Sequence, residues 1–114
     1  MDTYSRDPLK PAVLHILMAL NGQARYGYDI VRAVREQSGG QIPLRTGTFY
    51  RHLSEVIAAG YVERVPQPKP DDDPRRGAYY RLTVHGRHRL ATERGRLMQL
   101  AEAIAASSPR KGHA

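Results

Sequence analysis

The sequence predicts a mainly α protein with a small β-hairpin: a winged helix-turn-helix followed by a long C-terminal dimerisation helix. Three observations predict it. The stretch from Leu44 to Gly60 repeats apolar residues at the helical period and keeps a polar opposite face. After Gly60 the pattern turns to β-branched and aromatic residues, in two runs parted by a proline-rich loop. Beyond Val84, Leu90, Leu97, Leu100 and Ile104 are spaced seven, three and four apart, a heptad seam in which Glu93 fills one inward position.

Composition sets the frame. A chain of 114 residues with 40% hydrophobic content forms one small domain with a single core. Lys and Arg outnumber Asp and Glu by 18 to 11, a formal charge of +7, which points to a polyanion and first to nucleic acid. Cysteine is absent, so disulfides and thiolate zinc sites are excluded, in keeping with a cytoplasmic protein. The longest apolar run, Ala12 to Leu20, is broken by His15 and is too short to span a bilayer. Met1 to Asp7 lacks the apolar core of a signal peptide.

In chain order, Pro8 to Leu20 reads as a first helix, with Pro8 and Pro11 suited to a first turn. Val13, Leu14, Ile16, Leu17, Met18 and Leu20 make it apolar on most sides, so it is expected to be covered by the core and by a partner subunit. His15 within it reads as a hydrogen-bonded structural residue. Asn21 to Arg25 reads as a turn, and Tyr26-Gly27-Tyr28-Asp29 leads into a second helix that ends near Ser38-Gly39-Gly40. Ile30, Val31 and Val34 form its apolar side, while Arg32, Arg35 and Glu36 face water or a DNA backbone. A short glycine-containing connection to the next helix completes a helix-turn-helix.

The third helix is expected to recognise DNA. Phe49, Val56 and Ile57 fall beside Leu53 on the inner side of the helical wheel. Gly47, Thr48, Arg51, Glu55 and Ala58 fall opposite. Small residues allow close approach to a major groove, and Arg pairs with guanine edges or phosphates. Tyr61 to Val65 and Ala78 to Thr83 then read as strands joined by Pro66 to Gly77, the wing. Lys69, Arg75 and Arg76 suit a phosphate-contacting tip, whereas Asp71-Asp72-Asp73 repels phosphate. Thr83 is the expected N-cap of the last helix, Val84 to about Ala106. That helix is too long for so small a domain to cover, and Arg87, Arg89, Arg94 and Arg96 give it a basic polar side. The organisation expected is a DNA-binding domain over 8–83, a dimerisation helix over 84–106 and a disordered tail over 107–114.

The order of these elements, and the words inside them, resembles the PadR family of bacterial transcriptional regulators. Tyr26-Gly27-Tyr28-Asp29-Ile30 is similar to the family's YGYEI, and Gly47-Thr48-Phe49-Tyr50-Arg51-His52-Leu53 to its GTLYRAL. Gly60-Tyr61-Val62 is similar to GLI. Arg76 to Thr83, with Gly86 three residues on, is similar to RRKYYRLTxxG. The resemblance covers residues 10 to about 104. It implies a homodimeric winged-helix repressor of the short branch, cytoplasmic and nucleoid-associated, whose last helix joins the first helix in the dimer interface. Leu14, Leu17, Met18, Leu90, Leu97, Leu100 and Ile104 are the expected interface residues. It places Tyr50 on the shoulder of the third helix, where its hydroxyl reaches a phosphate while the ring packs. Tyr26 and Tyr28 lie at a helix start, where free N–H groups favour phosphate. Three departures stand out: Ile57 replaces a polar residue, Arg45 replaces a small capping residue so that Thr46 is left to cap, and the wing is acidic and proline-rich.

The expected mechanism is that two recognition helices enter successive major grooves of a pseudo-palindromic DNA operator. Thr48, Tyr50 and Arg51 lead the expected contacts, with Arg45, Thr46, His52, Arg75 and Arg76 behind them. The family resemblance also implies a small hydrophobic or phenolic effector near the dimer interface. Tryptophan is absent, so no pocket is built on stacked Trp rings. No cofactor is expected, and enzymatic chemistry finds little support. Asp71-Asp72-Asp73 with His85 and His88 is the best metal candidate, and a third ligand is not evident. Glycine-rich phosphate loops, nucleophile elbows and His-Glu-x-x-His motifs are absent. The alternative is a winged-helix protein-interaction module without sequence-specific DNA binding.

Overall fold

The computed structural model describes residues 7–67 and 78–107. Its elements run α1 (Pro11–Ala19), β1 (Arg25–Tyr26), α2 (Gly27–Gln37), α3 (Thr46–Ala58), β2 (Val62–Val65), β3 (Tyr79–Leu82) and α4 (Val84–Ser107). Three helices enclose one core. Ile16, Leu17 and Leu20 of α1 and the residue after it meet Ile30 and Val34 of α2 and Phe49, Leu53 and Val56 of α3. Val62 and Leu82 close it from the sheet. No helix among the described residues is long and apolar enough to cross a membrane.

The first helix starts at Pro11, three residues later than the expected Pro8. A helix beginning at Pro8 would need the N–H of residue 11 to bond the Asp7 carbonyl, and proline has none. That carbonyl instead accepts from Arg89 on α4. His15 is hydrogen-bonded as expected, through its ring to the Gln37 side-chain amide at 3.1 Å, and its carbonyl accepts from the same amide nitrogen.

The expected hairpin of β2 and β3 is present, and a third short strand joins it. Three antiparallel strands lie in the order β1-β3-β2, with Arg25 opposite Tyr80 and Val62 opposite Leu82. Strand β1 has only two residues, too few to carry a period-two signal; its pairing with β3 creates it.

The junction between α3 and α4 is tightly specified. Gly60 adopts φ +82°, the left-handed conformation that ends a helix. Thr83 caps α4 as expected: its hydroxyl accepts the Gly86 N–H at 2.9 Å and donates to the Gly60 carbonyl. Helix α4 has 24 residues, about 36 Å. Its first half lies on α1, while Leu97, Met98, Leu100 and Ile104 are exposed.

Candidate nucleic-acid interface

Helices α2 and α3 meet at a cleft of about 680 Å³, lined by Tyr28, Val31, Arg35, Leu44, Arg45, Thr46 and Tyr50 among others. Two sequence motifs come together at its floor. A Cβ placed at Gly27 would lie 3.2 Å from the Tyr50 hydroxyl and 3.7 Å from the Phe49 ring. Glycine at 27 therefore lets the α3 aromatics close on the start of α2. Tyr50 packs edge-on against Phe49 at 4.8 Å yet stays 45% exposed, so its ring is seated while part of the residue remains open to solvent.

The outward side of α3 carries Arg45, Thr46, Gly47 and Arg51, all exposed, with Thr48 half-buried. Among the described residues, Arg45 and Arg51 form no salt bridge, so their charge is available to an anion. On α2, Tyr28 is exposed and Arg32 stands over its ring at 5.8 Å. Arg35 adds a further exposed cation.

Several expected positions differ. His52 is 8% exposed and faces inward, with its Nδ1 3.2 Å from Glu55 Oε1. It lies three residues from Phe49 and four from Val56, and so shares their buried side rather than the outer one. Tyr26 is buried edge-on against the Tyr79 ring at 4.8 Å, which withdraws it from a surface phosphate. Ile57, expected inside, is 39% exposed. Thr46 does not cap α3; it is the first helical residue, Arg45 is the N-cap in extended backbone, and no side chain caps the helix. Glu55 has turned to the flank, where it meets Lys10 and His52. Lys69, Arg75, Arg76 and the three aspartates of the wing lie outside the described residues, as do 108–114 of the expected tail.

A second groove, about 570 Å³, runs between α1 and α4 and is lined by Leu14, Met18, Leu90, Leu97 and Met98, with Arg87 and Arg94 beside them. Leu17 does not reach it, because it is fully buried in the core. Nor is the polar side of α4 uniformly basic. Arg89 is buried, and Arg96 grips the buried Glu93 through two bonds of 2.9 and 2.7 Å. The Arg96 guanidinium holds the Glu93 carboxyl below the ordinary carboxylate range; burial opposes this and the Leu9 N–H assists it. Sequence spacing put Glu93 inside; it gave no sign of the Leu9 bond, which joins residues 84 apart.

The model of the Transcriptional regulator PadR-like family matches residues 16–92. Among solved structures, a transcriptional regulator from Clostridium thermocellum is 20% identical with a TM-score of 0.68, covering 84% of this chain and 88% of that one. RosR of H. salinarum is 24% identical with a TM-score of 0.60, covering 91% and 100%. The complex structure of hsRosR-S4 is 24% identical with a TM-score of 0.59, covering 90% and 94%. At these identities the likeness is one of fold. No curated protein matches the chain.

Proposed function

Because the chain belongs to the PadR-like family of transcriptional regulators, we propose that it is a homodimeric repressor that reads a pseudo-palindromic operator with α3 and is released by a small effector. The observation that carries this reading is the outward side of α3. Arg45, Thr46 and a seated, half-exposed Tyr50 line the α2–α3 cleft, and Gly47 and Arg51 are exposed on the same helix, Arg45 and Arg51 without salt-bridge partners among the described residues. Small residues admit the helix to a major groove, Arg51 reads a base edge or phosphate, and the Tyr50 hydroxyl donates to phosphate. Tyr28, Arg32 and Arg35 on α2 meet the backbone beside it.

The exposed apolar residues of α4 support dimerisation. Leu97, Leu100 and Ile104 are 38%, 47% and 61% exposed, and a second copy buries them together with Leu14 and Met18. The α1–α4 groove supports the effector site: apolar walls take a small hydrophobic or phenolic molecule, and Arg87 and Arg94 favour one with negative character. A salt series on duplex DNA tests the core of the reading. Binding is expected to weaken as a steep power of salt concentration, since each phosphate contact releases counterions. Salt-independent binding, or none, is the contrary result.

A further inference from the structure

We propose that residues 7–10 act as a strap that ties α4 to the recognition helix, with Glu55 the positioning residue at its far end; its consequence for DNA rests on the reading above. The strap leaves α4 by two bonds. Arg89 donates to the Asp7 carbonyl, and the Leu9 N–H donates to Glu93 Oε2 at 3.3 Å. Glu93 is 1% exposed and clamped by Arg96, so this anchor is fixed to the body of α4. One peptide link further on, Lys10 Nζ lies 3.8 Å from Glu55 Oε1 on α3. The same oxygen meets Nδ1 of His52, whose ring is buried on the inner side of α3. A continuous line of charged contacts and one stretch of backbone thus runs from α4 to the middle of α3.

The two ends differ in how firmly they are held. Helix α4 projects beyond its own domain, so a partner or ligand in the α1–α4 groove bears on it directly. The N-cap residue of α3, Arg45, makes no side-chain capping bond, so the placement of the helix relies on packing and on contacts along its flank. Glu55 supplies such a contact on the flank, where it meets Lys10 and His52 and lies within electrostatic reach of Arg51. A displacement of α4 that drags Glu93 moves Leu9 and Lys10 with it, and changes how α3 is presented. Such coupling is a property of discrete contacts with two arrangements, not of distance alone.

The test uses full-length Glu93→Gln, Glu55→Gln and the double variant, with two readouts. The first is hydrogen exchange at the amides of α3, with α2 as reference because it shares the core but not the strap. The second is affinity for a duplex taken from upstream of the protein's own gene. Each single variant is expected to raise α3 exchange about twofold or more and to weaken binding by a similar factor, the lower range for a coupling contact. Exchange in α2 reports the global destabilisation that Glu93→Gln carries, so the α3 rise is read as its excess over α2; in Glu55→Gln, α2 should stay at the wild-type level. The double variant should be no worse than the worse single, because both changes weaken the same line of contacts. Wild-type α3 exchange in Glu93→Gln, or single effects that multiply in the double, overturns the proposal. Should Glu93→Gln fail to fold, Lys10→Met cuts the strap at an exposed residue and must reproduce the Glu55→Gln result on both readouts; wild-type values there overturn it equally. If the wild type binds no DNA, the DNA reading fails, while the exchange comparison still decides the strap.

Discussion

Gly86 sits on the backbone of Tyr61: a Cβ at position 86 would lie 2.0 Å from the Tyr61 carbonyl oxygen. That oxygen also accepts the Thr83 N–H at 3.0 Å, so it cannot move aside without breaking the junction between the sheet and α4. The Tyr61 ring meanwhile stacks on His85 at 5.0 Å, fixing the residue from its other end. Glycine at 86 is required by contact, since no strained dihedral is involved there.

Replacing Gly86 with Ala is therefore expected to destabilise the fold by about 2 kcal/mol or more, in the upper range for overpacking. Urea unfolding followed by circular dichroism measures it. A midpoint equal to wild type would mean that the junction has slack the geometry denies.

Acid should act through Glu93. Its folded pKa is depressed, first by the Arg96 bond, with burial opposing. A depressed carboxylate stabilises the fold above the unfolded value, about 4.3 for Glu, and that contribution is lost as pH falls through the folded value. Glu93→Gln is expected to cost about 2 kcal/mol or more at neutral pH, because it strips a buried charge pair. The gap from wild type should narrow as pH falls below the unfolded value and through the depressed folded one. A gap that stays constant on acidification would remove Glu93 from the acid response.

Arg51 and His52 are neighbours in sequence with opposite expected effects. Arg51→Ala should leave the thermal midpoint within about 2 °C and weaken DNA binding by about 1–3 kcal/mol. His52→Ala should lower stability by about 1–3 kcal/mol, the range for losing a buried, bonded side chain, with any effect on DNA following from that loss. Paired melting and binding curves separate the two. The reverse pattern would mean that the outward side of α3 is wrongly assigned.

Dimerisation should depend on α4 residues that the single domain leaves bare. Leu97 and Leu100 are 38% and 47% exposed. Changing both to Glu should yield a folded monomer by analytical ultracentrifugation, with far-UV circular dichroism retained and DNA affinity falling at least about tenfold as the second half-site is lost. A dimer that persists would move the interface elsewhere.

Helices α2 and α3 were legible from apolar residues that repeat at 3.6, α1 from its dense apolar run and α4 from its heptad, and Gly60 and Thr83 mark boundaries that chemistry dictates. What could not be read depends on contacts between distant residues. Strand β1 exists only through β3. The start of α1 was misplaced because Pro8 and Pro11 both suit a first turn, and α4 decides between them by taking the Asp7 carbonyl. At the site, Arg51 and Thr48 were assigned from the wheel, yet His52 and Ile57 exchanged sides. A polar His reads as outward until a partner such as Glu55 is known, and an apolar Ile reads as inward until the core proves full. Tyr26 misled in the same way, since a helix-start motif does not tell that its ring is needed under the sheet.

The central claim, a dimer reading a symmetric operator with α3, is tested most directly by footprinting on the DNA upstream of the protein's own gene, against a scrambled duplex across a salt series. A two-fold symmetric footprint is expected, with half-sites about one helical turn, roughly 34 Å, apart or a multiple of it. It should persist near physiological salt on that DNA alone, and disappear for Arg51→Ala before it does for wild type. Weak binding, equal on both duplexes and erased by salt, would contradict sequence-specific recognition and leave the charge of +7 as a general attraction to polyanions.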